Sequence, residues 1–357
     1  IADGLRIAAS VSSTPMSWVA AWDNSFLGRQ GMRTLINNPR AWWHAAKASH
    51  RAMFSEGAAQ LIDDQLVAHP KYAQAQQAGL EHTALSTAAP YGAAEEMSAY
   101  LRPGEKIPVI GRFLRGADRA FTTSGNIMRH DPFYRMAEHM GNKWTLADYK
   151  GFADLLNVTT GRGRLGSLIT VQQYLNAFII STRNVAAEFQ YPFQMFRGTK
   201  ATKRIAAKWL VKEAAAYVSL LLALKAAGLR AGVNPDDRET FGRVIIGKTH
   251  FDIIPSGRRT AVTTVWRIGQ KLHLREWPSP QPKYGEESLG DIASGFLSRK
   301  APPLLSTIKM LKTGKDFKGD SISPKDALLS GMVIPWNEQD IYEAWTEESP
   351  LMAVAVA

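Results

Sequence analysis

Two stretches of this 357-residue sequence carry residue types at spacings that could do chemistry. The first is Gly161-Arg162-Gly163-Arg164-Leu165-Gly166, which spells G-x-G-x-x-G. In a phosphate-binding loop such glycines allow a tight turn and close backbone approach, and a following helix N-terminus receives the pyrophosphate. The spelling works only if a strand runs directly into the first glycine. Here the preceding ADYKGFADLLNV places Phe152, Leu155, Leu156 and Val158 at helical spacing, without alternation or β-branched enrichment. Leu168, Val171, Leu175 and Phe178 continue at helical spacing afterwards, so one long helix is expected from Gly166 to about Gln190. No G-x-x-x-x-G-K-[ST] occurs, nor an ordered set of kinase residues. The expectation is a helix stop, an arginine-bearing linker and a helix start, with no nucleotide bound.

The second stretch is RGTKATKRIAAKWLVK. Lys200, Arg204, Lys208 and Lys212 fall at i, i+4, i+8 and i+12, joined by Arg197 and Lys203, with no acid before Glu213. On a helix they make a slowly rotating cationic row that could neutralise phosphates or lie on anionic headgroups. These six are the candidate contacts to nucleic acid or an anionic surface; the bland alternative is a solvated helix face. Arg162 and Arg164 could add to the same basic surface. The row runs into AAAYVSLLLAL at 214–224, which Lys225 ends. A spanning helix needs about 20 apolar residues, and extending this one to Val233 would bury Lys225 and Arg230. A buried core helix is therefore expected, with membrane contact as the alternative.

Nothing else in the chain has catalytic spacing. The eight histidines do not cluster in sequence and no H-E-x-x-H is present. Without cysteine there is neither a disulfide framework nor a thiolate site, so no metal and no cofactor are expected. Glu95 and Glu96 are adjacent, and adjacent helical side chains diverge by about 100° rather than flanking one bond. No G-x-S-x-G occurs. The chain reads as a non-enzyme.

The elements that must position the cationic row are mostly helices. Asn38-Pro39 is a cap followed by an N1 proline, opening a stretch with Trp42, Ala46, Met53, Ala58, Leu61 and Leu66 that His69-Pro70 ends. Two helical pieces are expected on either side of His130-Asp131-Pro132. RVIIGKTHFDII alternates about Gly247-Lys248, which predicts a two-residue hairpin over about 243–254, with Val244 and Ile246 on one face and Phe251 and Ile253 on one face. The fold class is mainly α, an elongated multi-helix assembly with one small β-hairpin. Two regions are expected, 1–165 and 166–357, with one continuous domain as the alternative. Hydrophobic residues at 45% exclude general disorder. A net charge of +11 points to a polyanionic partner. Residues 337–357 hold five acids and no Lys or Arg, so the chain upstream of this acidic end is more basic still. The opening IADGLRIAAS reads like mid-helix, so a longer parent polypeptide is expected.

Five segments in fixed order resemble a C-terminal module of very large phage polyvalent proteins, the large polyvalent-protein-associated domain class. They are TTGRGRLG, YLNAFIISTRNVAAEFQYPF, NPDDRETFGRVIIGKTHFDIIPSGRRTAV, FLSRKAPPLLSTIKMLKTGKDFKGD and MVIPWNEQDIYEAW. Thr182 stands where the family pattern has proline, and Asp237 with Glu239 to Phe241 loosens its DPR-x-x-DFG spelling. The resemblance covers about Asn38 to the end. It implies an internal virion protein, packaged in the capsid and ejected with the genome into the host cell envelope as a structural part of the conduit. Implied partners are phage DNA, other virion proteins (ejection proteins and the portal), the host inner membrane and further copies of the chain as a homo-oligomer. It transfers no catalytic residues. The alternatives are a membrane-inserting helical protein, or a non-catalytic module of a giant virion-packaged enzyme such as an RNA polymerase or peptidoglycan hydrolase.

Overall fold

A computed structural model of the chain describes residues 27–28, 31–85, 108–172, 182–237, 239–247, 249–272, 288–299, 303–315 and 321–328. The elements are α1 (Met32–Asn37), α2 (Pro39–Phe54), α3 (Glu56–Val67), α4 (Tyr72–Gln77), α5 (Pro108–Met140), α6 (Leu146–Thr159), α7 (Thr182–Gln190) and α8 (Lys200–Ala226). Then follow β1 (Arg230–Ala231), β2 (Arg243–Ile246), β3 (Thr249–Asp252), α9 (Ser256–Lys271), α10 (Leu289–Arg299), α11 (Pro303–Thr313) and α12 (Pro324–Leu328). The fold is mainly α with one small antiparallel sheet, as the periodicity predicts. The chain divides into two compact units, one holding residues up to 177 with 181–214, the other 178–180 with 215–357. Helix α7 and the first half of α8 thus belong with the earlier helices. The acidic end at 337–357, the Glu95-Glu96 pair and the last of the five family-like segments lie outside the described residues.

In the first unit, α5 lies along α2. Ala41, Ala45, Ala48, Ser49 and Ala52 are the buried residues of α2, the alanines at i, i+4, i+7 and i+11. Side chains this small let a neighbouring helix come close, and a Cβ on Gly116 of α5 would stand 2.5 Å from the Met53 carbonyl oxygen. The packing stripe is therefore one of small residues, not the larger Trp42–Ala46–Met53 series, and Leu61 is exposed. Arg119 donates to the Ala52 and Met53 carbonyls, satisfying the end of α2. The expected single run to His69 is broken at Ser55, whose hydroxyl accepts from the Ala58 amide and caps α3.

The expected interruption near Pro132 does not occur: α5 runs through it for 33 residues. An internal proline costs about 3 kcal/mol. Ile127, Met128, Phe133 and Ala137 on both sides of it are fully buried in one core with Phe152, Leu155 and Leu156 of α6, and each large apolar side chain so buried contributes about 1.5–3 kcal/mol. The proline is outweighed. Helix α6 begins with a reciprocal capping box between Thr145 and Asp148. The long helix expected from Gly166 to about Gln190 begins instead as a 3₁₀ segment at Gly166–Val171; residues 173–181 lie outside the described residues, and Thr182–Gln190 is helical.

In the second unit the hairpin forms as predicted. Ile246 pairs with Thr249 and Arg243 with Asp252, and Gly247 takes φ +60°, the sign a two-residue hairpin turn needs at its first central position. The pairing Val244 to Phe251 puts both on the face that packs with Ile246, Ile253 and Leu221. β1, which the sequence pattern does not announce, adds an edge to β2.

Candidate nucleic-acid interface

The cationic row sits on α8, which is fixed at several points along its first half. At its start Thr199 donates to the Asp148 carboxylate at 2.6 Å and accepts from the Thr202 amide. The same Asp148 is the capping residue of α6, and these hydrogen bonds from Thr199 and Thr145 hold its carboxyl below the usual range. Gly151 of α6 makes room for Thr202, whose hydroxyl would stand 2.8 Å from a Cβ there. Ala206, Trp209 and Leu210 then pack on the α5–α6 core, where the rings of Trp209 and Phe152 meet edge to face at 6.1 Å.

Glu213 completes the attachment. The carboxylate is buried, accepting hydrogen bonds from the Tyr191 hydroxyl and from the Asn37 amide at 2.8 Å. Arg33, also buried, lies 3.6 Å from it and 2.6 Å from Glu188, with its guanidinium over the Tyr191 ring. Glu213 therefore does not close the row electrostatically, as its position in the sequence suggests. It points inward.

Opposite this buried face, Arg197, Lys200, Arg204, Lys208 and Lys212 are exposed, and Lys203 is half-buried. Among the described residues none of the six makes an ion pair. Lys200, Arg204, Lys208 and Lys212 span about 18 Å of helix at about 6 Å intervals. Like charges at i, i+4 disfavour a helix by about 0.2–0.5 kcal/mol per pair, so the row carries a small standing cost that an anion would relieve. The structure thus keeps together the residues the sequence singles out, apart from Lys203, which lies off the exposed line.

The 214–224 continuation differs from the expected core helix. Tyr217 and Leu221 are buried, whereas Val218, Leu220 and Leu222 are exposed. Only one face of this half of α8 meets the sheet, because the small cluster there needs just Leu221 and Leu224 from it. Among the described residues no helix is long and apolar enough to cross a membrane.

Gly161 to Gly166 follows helix α6, not a strand. Its amides are already engaged: Gly163 donates to the Arg183 carbonyl at 3.1 Å and Arg164 to the Gln190 side chain at 2.9 Å. A Cβ on Gly163 would come 2.5 Å from the Arg183 carbonyl oxygen, so this glycine serves close packing against α7. Nor do the two arginines extend a basic surface. Arg162 is buried and donates to Glu81 at 2.8 Å and to Thr83, while Arg164 pairs with Asp154 at 2.6 Å. The loop is built as a structural junction.

Glu81 gathers a second set of cations. Arg183 grips its carboxylate with two nitrogens, and Arg129 donates to its backbone carbonyl at 2.9 Å. Burial alone would raise this carboxyl, but the hydrogen bond from Arg183 and the charges of Arg183, Arg162 and Arg129 prevail and hold it below the usual range. Beside it the structure assembles histidines that sequence spacing leaves scattered. His82 lies 3.3 Å from Asp63 and 3.2 Å from His130, and His69 stacks on Tyr134. Burial, with His82 and Arg129 adding to it, pushes His130 down to about 2, so its ring is neutral at ordinary pH. Among the described residues no group of three or more His, Asp or Glu side chains could hold a metal ion.

A groove of about 390 Å³ lies beside the row, lined by Arg135 and His139 of α5, Phe152 of α6, and Lys208, Trp209 and Lys212 of α8 among others. Sequence reading misses Arg135 and His139. Their i, i+4 spacing is the only local signal, and two basic side chains alone do not mark a site. Compared with known protein families, curated proteins and solved structures, the chain finds no match.

Proposed function

We propose that this chain is a non-catalytic structural module that contacts nucleic acid through the first half of α8, and that it serves in a phage as an internal virion protein of the genome-delivery conduit. The observation that carries the contact is the row of exposed cations without ion-pair partners among the described residues, held outward by a helix whose acid is turned into the core. A solvated face of mixed charge would carry carboxylates among its lysines; this one has none between Arg197 and Lys212. The phage setting is supported by the ordered motif resemblance and by the basic net charge.

Binding through such a row is sequence-independent and weakens steeply with salt, because each neutralised phosphate releases counterions at a log–log slope of about −0.9 for duplex DNA. Replacing Lys200, Arg204, Lys208 and Lys212 together by Gln leaves the fold intact and flattens that slope by roughly three to four units. An unchanged slope would reduce the row to a solvated helix face. Mass spectrometry of virions before and after genome release tests the setting separately: the chain should be present before and depleted after.

A further inference from the structure

We propose that the groove beside α8 seats one unpaired nucleotide of a single-stranded nucleic acid whose backbone runs along the cationic row. The inference rests on reading the row as a phosphate-binding surface, and it adds strand preference to that reading. Two of the row's cations, Lys208 and Lys212, also line the groove, so a backbone neutralised by the row is carried to its mouth. Across from them stand Arg135 and His139, both exposed, on successive turns of α5.

Among the described residues no carboxylate lines this space. The acids nearest in sequence to its lining residues are engaged elsewhere: Asp131 by His44 at 2.7 Å, Glu138 by His69 at 3.5 Å, Asp154 by Arg164 at 2.6 Å, and Glu213 by Arg33, Tyr191 and Asn37. Four basic groups therefore face one cavity with no carboxylate among its described lining residues. Trp209, Phe152 and Met136 also line it; Phe152 is buried, so half-buried Trp209 is the ring a base would meet, in a cavity that is apolar as well as cationic. That pairing of a positively charged track with aromatic rings is what holds single strands, where each stacked base contributes about 1–3 kcal/mol. Size points the same way. At about 390 Å³ the groove is near the lower end of the roughly 300–1,000 Å³ of ligand sites, room for one nucleotide and far too small for a duplex. Bases in a duplex are paired and stacked and could not enter it.

Fluorescence anisotropy with the whole chain tests this, using a dye-labelled oligothymidylate and a labelled duplex of equal length at one salt concentration. The single strand should bind about tenfold more tightly, the equivalent of one stacked base. The double variant Arg135→Gln, His139→Gln should abolish most of that preference while duplex binding stays within about twofold. Both side chains are exposed, so the core is untouched. Oligothymidylate should quench the protein's tryptophan emission, and Trp209→Phe, which keeps a ring in place, should remove part of that quenching. Equal affinity for the two forms would overturn the groove proposal while leaving the row's role intact. Thymidine monophosphate binding as tightly as the oligomer would overturn it in favour of a small-ligand pocket. Duplex binding that ignores salt and the Lys200→Gln, Arg204→Gln variant would overturn the underlying reading as well.

Discussion

The first unit holds two sets of cations of similar size whose physical circumstances are opposite. Arg129, Arg162 and Arg183 converge on Glu81 and its neighbours, with Arg129 and Arg162 inside the protein and every one hydrogen-bonded to a named partner. Lys200, Arg204, Lys208 and Lys212 stand in solvent along one helix with no acid beside them. The buried set is all arginine, whose planar fork suits fixed, desolvated carboxylates, while the exposed row mixes three lysines with Arg204. The buried set ties the 79–83 segment to α5, α6 and α7, since Asn157 and Asn126 bond the backbone of Gly79, Glu81 and Thr83 alongside the arginines. Among the described residues the exposed set makes no ion pair. Kept in a row at a small energetic cost, it is the set on which the proposed contact rests.

The sharpest way to break this contrast is to remove the shared carboxylate of the buried set. Glu81→Gln leaves Arg162 and Arg183 facing an uncharged amide, and breaking a buried pair from one side costs about 3–5 kcal/mol. Glu81 is 32 % exposed, so solvent screening places the expected loss nearer the lower figure. Urea denaturation of the variant measures it, and a loss below about 1 kcal/mol would mean that the network is no more than a surface ion pair.

A smaller effect comes from acid. His130 is depressed to about 2 from its usual 6.5, so below pH 6.5 the unfolded chain takes up a proton that the folded chain refuses. Stability should be fully present above pH 6.5 and fall by up to about 1.4 kcal/mol per pH unit as pH drops below it. Glu81, also held low, adds its own loss from about its ordinary carboxylate range downward. His44, raised by its hydrogen bond to Asp131, works in the opposite direction. Urea midpoints between pH 7 and pH 5 should show the fall, and His130→Gln should flatten it. The quadruple Gln variant of the α8 row should leave this pH dependence unchanged, because those side chains face water in both states.

The smallest effect is on the row's own contribution to stability. Neutralising Lys200, Arg204, Lys208 and Lys212 removes three i, i+4 repulsions, so the melting temperature should hold or rise by the equivalent of a few tenths of a kcal/mol per pair. A clear destabilisation would mean that these side chains have partners in the folded chain, and the contrast with the Glu81 set would dissolve.

The hairpin was legible because a period of two about Gly247 has no helical counterpart, and its register places Val244 opposite Phe251. The end of α6 was legible in the helical spacing of Phe152, Leu155, Leu156 and Val158 running up to Gly161, which takes positive φ after the last turn. The cationic row was legible because its four members share one helix, so sequence spacing is spatial spacing. The break at Ser55 and the passage of α5 through Pro132 were not. Each turns on competition between a local preference and a core assembled from distant residues, and local pattern carries no measure of the second.

By itself the sequence determined the helical class, the hairpin, the absence of thiol chemistry and the charge that asks for a polyanion, because propensity, alternation and charge act within a few residues. Only the tertiary structure decided which arginines were spent and which cations were left. It turned Glu213 inward beside Arg33, brought Arg162 and Arg183 onto Glu81 across gaps of 81 and 102 residues, and set Arg135 and His139 opposite Lys208 and Lys212. The reason is that a charge's role depends on the dielectric around it and the group facing it, and both are supplied by whichever helix the fold brings alongside.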